Sequence, residues 1–207
     1  MDVARFIAAQ LRQPSGFFGR HVMVHLLNRG NVPINKLAIR ALGLTPWDHV
    51  LEVGFGGGDL IARMARVLTH GHVTGVDVSQ DAVEVCAKRF RRLIEAGSID
   101  LQCGAVEELP LGEGTFTKAC TVNTIYFWAD PLVALAQLRR VLRQDGTLVI
   151  CFSPRAVLGK RRIMQHGFTL YDPEEVSALL AGAGFRDVQR FYGKHRFGEC
   201  IAAVGKK

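Results

Sequence analysis

Glu52, Gly54, Gly56, Gly58 and Asp77 carry the spacing most able to do chemistry in this chain. Glycines at alternate positions after the short apolar run Val50-Leu51-Glu52-Val53 let the backbone turn tightly and approach a ligand closely. A dinucleotide-binding turn would read Gly-x-Gly-x-x-Gly, but counted from Gly54 its third glycine falls on Asp59. An aspartate opening a helix repels the pyrophosphate that such a turn holds, so a phosphate-bearing ligand is disfavoured. Asp77 ends the next apolar run, 23 residues past Gly54. That is close to the ~20 residues at which an acid meets a ribose, and one carboxylate can take both of its hydroxyls.

The elements that must position these groups follow from periodicity. Residues 50–53 read as a strand, 54–58 as a tight loop and Leu60 to Leu68 as an amphipathic helix. His72 to Asp77 is a second strand, and Ser79 is a good N-cap for a helix from Gln80 to Ala96. Ile99 to Cys103 gives a third strand and Thr117 to Asn123 a fourth. Asp130-Pro131 opens a helix to Arg143, and Asp145-Gly146 turns it into a fifth strand, Thr147 to Phe152. After a loop-like segment, 153–170, Tyr171-Asp172-Pro173 starts a last helix ending near Gly182, and the segments 187–192 and 199–204 form a hairpin through Gly193. Residues 1–45 read as helices with a break at Pro14, another at Asn28 to Asn31, and a third short helix opened by Pro33.

An acid followed by three alternate glycines, with Asp77 at the next strand end and a polar-aromatic segment from Asn123 after strand four, resembles the class I S-adenosylmethionine-dependent methyltransferases of small-molecule type. The resemblance covers roughly residues 45–207. It implies an α/β fold: a three-layer Rossmann-like sheet of order 3-2-1-4-5-7-6 with strand 7 antiparallel, plus an N-terminal helical lid. On that reading residues 1–207 are one methyltransferase domain, 1–45 the lid and 46–207 the cofactor-binding core. The ligand is S-adenosylmethionine, which leaves as S-adenosylhomocysteine; it carries an ammonium and a sulfonium and no phosphate, so carboxylates suit it.

The resemblance carries over residue by residue. Glu52 and the loop of Gly54, Phe55, Gly56 and Gly58 face the methionine part, Asp77 the ribose, Val78 with Ala105 and Val106 the adenine, and Asn123 the amino-acid end. The family often has Gly-Asp-Ala after strand three, where this chain has Gly104-Ala105-Val106, so the adenine amino group must be met by backbone, water or a neighbour. Asn123-Thr124-Ile125-Tyr126 is similar to the Asn-Pro-Pro-Tyr of amino-methylating nucleic-acid enzymes, without either proline. Phe17, Phe18, Tyr126, Trp128, Arg162 and His166 are the candidate acceptor residues; packing of the two phenylalanines against the sheet, and solvation of the basic run Arg155, Lys160, Arg161 and Arg162, are the alternatives.

Composition bounds the rest. The chain has 207 residues and a net charge of +7, which permits an anionic partner without demanding one. Five cysteines, odd in number and set in apolar runs, point to a reducing, cytoplasmic setting. No apolar run reaches the ~18 residues of a membrane span, and the start lacks a basic-then-apolar signal pattern. His21 and His25 have helical spacing but no third ligand, so no metal is expected. The expectation is an enzyme transferring methyl to a small, apolar or aromatic acceptor by in-line displacement, with no assigned catalytic side chain. The alternatives are a nucleic-acid methyltransferase and a non-catalytic S-adenosylmethionine-binding protein.

Overall fold

The computed structural model describes Ile7 and residues 24–207, with the side chains of Ile7 and of 31–207 except that of Arg162. Residues 24–42 form one helix, α1 (Val24–Leu42), with Pro33 inside it. The expected break before Pro33 is therefore absent. Proline removes one backbone bond at a cost of ~3 kcal/mol, whereas Ile34, Leu37, Ala38 and Leu42 are at most 3% exposed. Burying each such large aliphatic side chain contributes roughly 1.5–3 kcal/mol, so the apolar stripe outweighs the lost bond.

The chain then alternates strand and helix: β1 (His49–Val53), α2 (Asp59–Ala65), β2 (His72–Asp77), α3 (Gln80–Arg89), α4 (Arg91–Glu95) and β3 (Ile99–Cys103). Next come β4 (Phe116–Val122), α5 (Pro131–Val141), β5 (Leu142–Phe152), the short α6 (Arg155–Leu158), α7 (Pro173–Gly182), β6 (Arg186–His195) and β7 (Gly198–Lys206). The seven strands make one sheet of order β3-β2-β1-β4-β5-β7-β6, parallel from β1 to β5, with β7 antiparallel to both β5 and β6. The sheet order agrees with the expectation.

Several boundaries differ from those expected. The helix expected over 80–96 breaks at Phe90, whose ring is 5% exposed and packs where a Cβ on Gly58 would lie, 2.6 Å away. Strand five begins at Leu142, not Thr147, because Leu142 already pairs with Phe116 before a bulge restores the register at Thr147. The final hairpin turns at Arg196-Phe197, not at Gly193, which lies inside β6 opposite Cys200. A Cβ at Gly193 would meet Leu37 of α1 at 3.2 Å, so that glycine admits the helix to the sheet rather than turning the chain. The segment 153–170 holds α6 and a 3-10 turn, Arg162–Gln165, where a loop was expected.

Helices cover both faces. Ile34, Leu60, Met64 and Cys86 from α1, α2 and α3 join Val50 and Val73 in one core, while Leu135, Leu138, Val176 and Leu180 from α5 and α7 join Leu51 and Val53 in the other. Alternation along β1 therefore puts Glu52 on the α1–α2 side, with Val50. A strand covered on both faces is apolar throughout unless a polar residue has a task, and Glu52 is the buried polar residue of β1.

Candidate functional site

The loops leaving β1, β2, β3 and β4 meet at the carboxyl edge of the sheet, where they enclose a cleft of about 270 Å³. Its wall includes Glu52, Gly54, Phe55 and Gly56 from the first loop, Asp77 and Val78 from the second, Ala105 and Val106 from the third, and Asn123 from the fourth. These residues come from four separate stretches of sequence. Parallel strand order brings them together, because it aims every β-to-α loop at the same edge.

The glycine loop is tied at both ends. The Gly54 N–H donates to the Val76 carbonyl at 2.7 Å and that of Gly58 to the Phe55 carbonyl at 2.8 Å. Gly54 has φ +77, and a Cβ there would lie 2.3 Å from the Thr124 methyl. Only hydrogen fits between the two loops. Gly58 stands differently from its expected part: it caps α2 with φ +70 and lies against Phe90 and Cys86, away from the cleft wall.

Two carboxylates face this loop. Asp77 is 6% exposed, and its oxygens accept the N–H groups of Gly56 and Ser79, each at 2.8 Å. Burial raises its pKa above the ordinary carboxylate value, and the two backbone donors oppose that rise. Glu52 is 3% exposed, and its Oε2 has no hydrogen-bond partner among the described residues. Burial first, then the charges of Asp77 and Asp59, push its pKa up to about 8. A buried carboxylate oxygen without a donor is costly, and a cation placed in the cleft would repay that cost.

Asp59 is otherwise engaged: Oδ2 accepts from Asn35 Nδ2 at 3.0 Å and from Arg63 Nε at 2.7 Å. Asn35 and Asn31 both lie on the cleft wall, one helical turn apart on α1. Asn31 Oδ1 accepts from Asn123 Nδ2 at 3.1 Å, which closes α1 onto the fourth loop. Neither asparagine was expected at the site. Their i, i+4 spacing was the available signal, and it was hidden by the helix break assumed between them. Glu107, which the sequence did not single out, lines the cleft beside Ala105 while its Oε1 accepts the Ala129 N–H at 2.8 Å.

The candidate acceptor residues divide. Trp128 and its neighbour Phe127 line the cleft. Tyr126 lies in the core instead, 3% exposed, its hydroxyl accepting the Ser153 N–H at 2.6 Å and donating toward the Ser153 carbonyl at 3.1 Å. Burial pushes its pKa upward, so it makes a poor base. His166 follows the 3-10 turn and is not part of the cleft wall. The helix backbone includes Arg162 and His25, whose side chains lie outside the described residues, as do Phe17, Phe18 and His21 entirely. Arg155 is committed elsewhere: it pairs with Asp172 at 2.6 Å and Glu175 at 2.7 Å, fastening the segment after β5 to α7.

Among the described residues no cluster of three or more His, Cys, Asp or Glu side chains suits a metal ion, and no helix is long and apolar enough to cross a membrane. The donor set instead fits S-adenosylmethionine: an orphaned buried carboxylate oxygen for a cation, a second acid at the adjacent strand end, and a glycine turn that a Cβ would block.

Comparison with known proteins agrees with that fit. Residues 51–150 match the family described as a methyltransferase domain. The chain is 27% identical over 184 residues to the uncharacterized methyltransferase YdaC of Bacillus subtilis (strain 168), covering 88% of this chain and 96% of that one. It is 31% identical over 151 residues to an O-methyltransferase of Pyrenophora dematioidea, 69% of this chain but only 55% of that protein, so it spans about half of that relative. A crystal structure of a SAM dependent methyltransferase from Aquifex aeolicus superposes with a TM-score of 0.73 at 20% identity, over 89% of this chain and 96% of that one, which shows the fold.

Proposed function

We propose that this chain, whose residues 51–150 match a methyltransferase-domain family, is a class I S-adenosylmethionine-dependent methyltransferase that transfers methyl to a small acceptor with an apolar or aromatic body. The observation that carries this reading is the unpartnered, buried Glu52 Oε2 facing a cleft whose other carboxylate, Asp77, ends the adjacent strand. Glu52 takes the ammonium, and Asp77 takes the ribose hydroxyls while its own backbone bonds hold the loop. Val78 and Val106 sandwich the adenine, with Glu107 supplying the acidic acceptor that position 105 lacks. Asn123 and Asn31 hold the amino-acid end.

When bound, S-adenosylmethionine supplies a methyl group already activated by the sulfonium. What remains for the protein is alignment and exclusion of water, and holding two reactants in line can supply ~7 kcal/mol or more of a barrier. Phe127 and Trp128 give that part of the cleft an apolar wall against which a flat acceptor can lie. On one side the cleft is bounded by α1, which packs on the sheet and brings Asn31 and Asn35 to its wall.

The test is calorimetry with S-adenosylhomocysteine, followed by transfer of labelled methyl to pools of small aromatic acceptors and of RNA at low and high ionic strength. Product in the small-acceptor pool, little affected by salt, supports the reading. Transfer confined to RNA and lost steeply with salt would replace it with a nucleic-acid enzyme. Cofactor binding without product in either pool would leave a binding protein.

A further inference from the structure

The basic residues after β5 are not equivalent. Arg155 is consumed by Asp172 and Glu175, but the Arg161 guanidinium lies 3.9 Å from the centroid of Phe197 and that of Arg196 lies 4.3 Å from the same centroid. Among the described residues neither has a carboxylate partner, and Phe197 is 42% exposed on the turn between β6 and β7. Two like charges converging on one ring repel each other, and an ordinary solvated surface would let them part. They are held by the frame: Gly198 packs against Val157 of α6, where a Cβ would stand 3.2 Å from either methyl.

The ring itself is seated by His195. Its Nδ1 accepts the Phe197 N–H at 3.0 Å, so Nε2 carries the proton and donates to Ser153 Oγ at 2.8 Å. That tautomer also rules out His195 as the base of a serine nucleophile. Burial, aided by the nearby charges of Arg161 and Arg196, holds the imidazole below its ordinary pKa, which keeps it neutral near pH 7. Ser153 follows β5 at the carboxyl edge and touches Tyr126, whose hydroxyl lies 3.3 Å from Asn123 Oδ1 on the cleft wall. Buried hydrogen bonds thus run from His195 through Ser153 and Tyr126 to Asn123 on the cleft wall, and the β6–β7 turn that carries Arg196 and Phe197 lies at the same carboxyl edge of the sheet as the cleft.

We propose that Arg161 and Arg196, seated on Phe197, bind an oxyanion, a carboxylate or a phosphate, carried by the methyl acceptor. This rests on the methyltransferase reading and narrows its substrate to acceptors with an anionic end. Guanidinium forks match the paired oxygens of either group, and the positive rim of the phenyl ring favours an anion at its edge.

The probes are benzoate, its neutral isostere benzamide, and inorganic phosphate, each followed by ligand-observed NMR against the full chain loaded with S-adenosylhomocysteine. Benzoate, phosphate or both should bind while benzamide does not. Binding of benzoate alone assigns a carboxylate, of phosphate alone a phosphoryl group, and mutual competition one shared site. Arg161→Gln and Arg196→Gln should each weaken the bound anion about tenfold, with the melting temperature and the S-adenosylhomocysteine affinity unchanged. The proposal is overturned if neither anion binds, if benzamide binds as well as benzoate, or if both variants keep wild-type anion affinity. Failure of S-adenosylhomocysteine itself to bind would instead strike the methyltransferase reading.

Discussion

The carboxylate of Asp77 accepts the backbone N–H of Gly56 across a gap of 2.8 Å, so the tip of β2 physically holds the glycine loop that follows β1. The same group that is assigned to a ligand thus also braces the loop by accepting two backbone N–H groups. Its substitution tests both parts at once.

Asp77→Ala leaves two buried N–H groups, of Gly56 and Ser79, without their acceptor. Each such loss costs roughly 1–3 kcal/mol, so the variant should melt well below the parent as well as binding S-adenosylhomocysteine at least tenfold more weakly. Asp77→Asn keeps one acceptor oxygen and should recover part of the stability but little of the affinity. An Asp77→Asn protein with parental calorimetric affinity would take Asp77 out of the ribose site.

Glu52 makes both stability and binding depend on pH. Its folded pKa of about 8 lies above the ordinary 4.5, so between those values the folded chain holds a proton that the unfolded chain has released. Stability contributed by this group therefore falls as pH rises through that window. A bound ammonium favours the ionised form and expels the proton, so S-adenosylmethionine affinity should rise with pH, by up to ~tenfold per unit, and level off near 8. Calorimetry in buffers of different ionisation enthalpy measures that proton directly. Glu52→Gln should flatten both profiles; a slope that survives it points to another group.

Gly54→Ala sets a methyl group against Thr124 Cγ2, at a backbone φ of +77. Strain of that kind costs roughly 1–3 kcal/mol, and displacement of the fourth loop should abolish cofactor binding. Adding Thr124→Ser removes the clashing carbon while leaving the hydroxyl that bonds Thr121. Partial recovery of the melting temperature is expected. No recovery would mean that backbone strain alone dominates.

Asn123 has φ +58, a conformation that glycine adopts more easily than alanine. Asn123→Gly should retain stability while losing the tie to Asn31 and several-fold of cofactor affinity; Asn123→Ala should lose both. If α1 and the fourth loop act through this one bond, Asn31→Ala combined with Asn123→Gly should cost no more affinity than either alone. Additive losses would show two independent contacts.

What the residues determined by themselves was the sheet and the chemical sign of its ligand. Alternating apolar runs between capped helices specify strands and their covering layers locally, and Asp59 in place of a glycine rejects a phosphate wherever the loop ends up. Ala105 likewise announced a missing acid before any geometry was known. Tertiary structure alone decided which side chains share a surface. Asn31 and Asn35 reach the cleft because burial of Ile34, Leu37 and Leu42 carries α1 straight through Pro33. Tyr126 turns into the core because the Ser153 backbone captures its hydroxyl. Arg161 meets Arg196 on Phe197 because strand pairing moves the hairpin turn beyond Gly193. Local propensity reads only near neighbours, whereas these contacts join residues 27 to 92 positions apart, and their energies exist only after the chain has closed on itself.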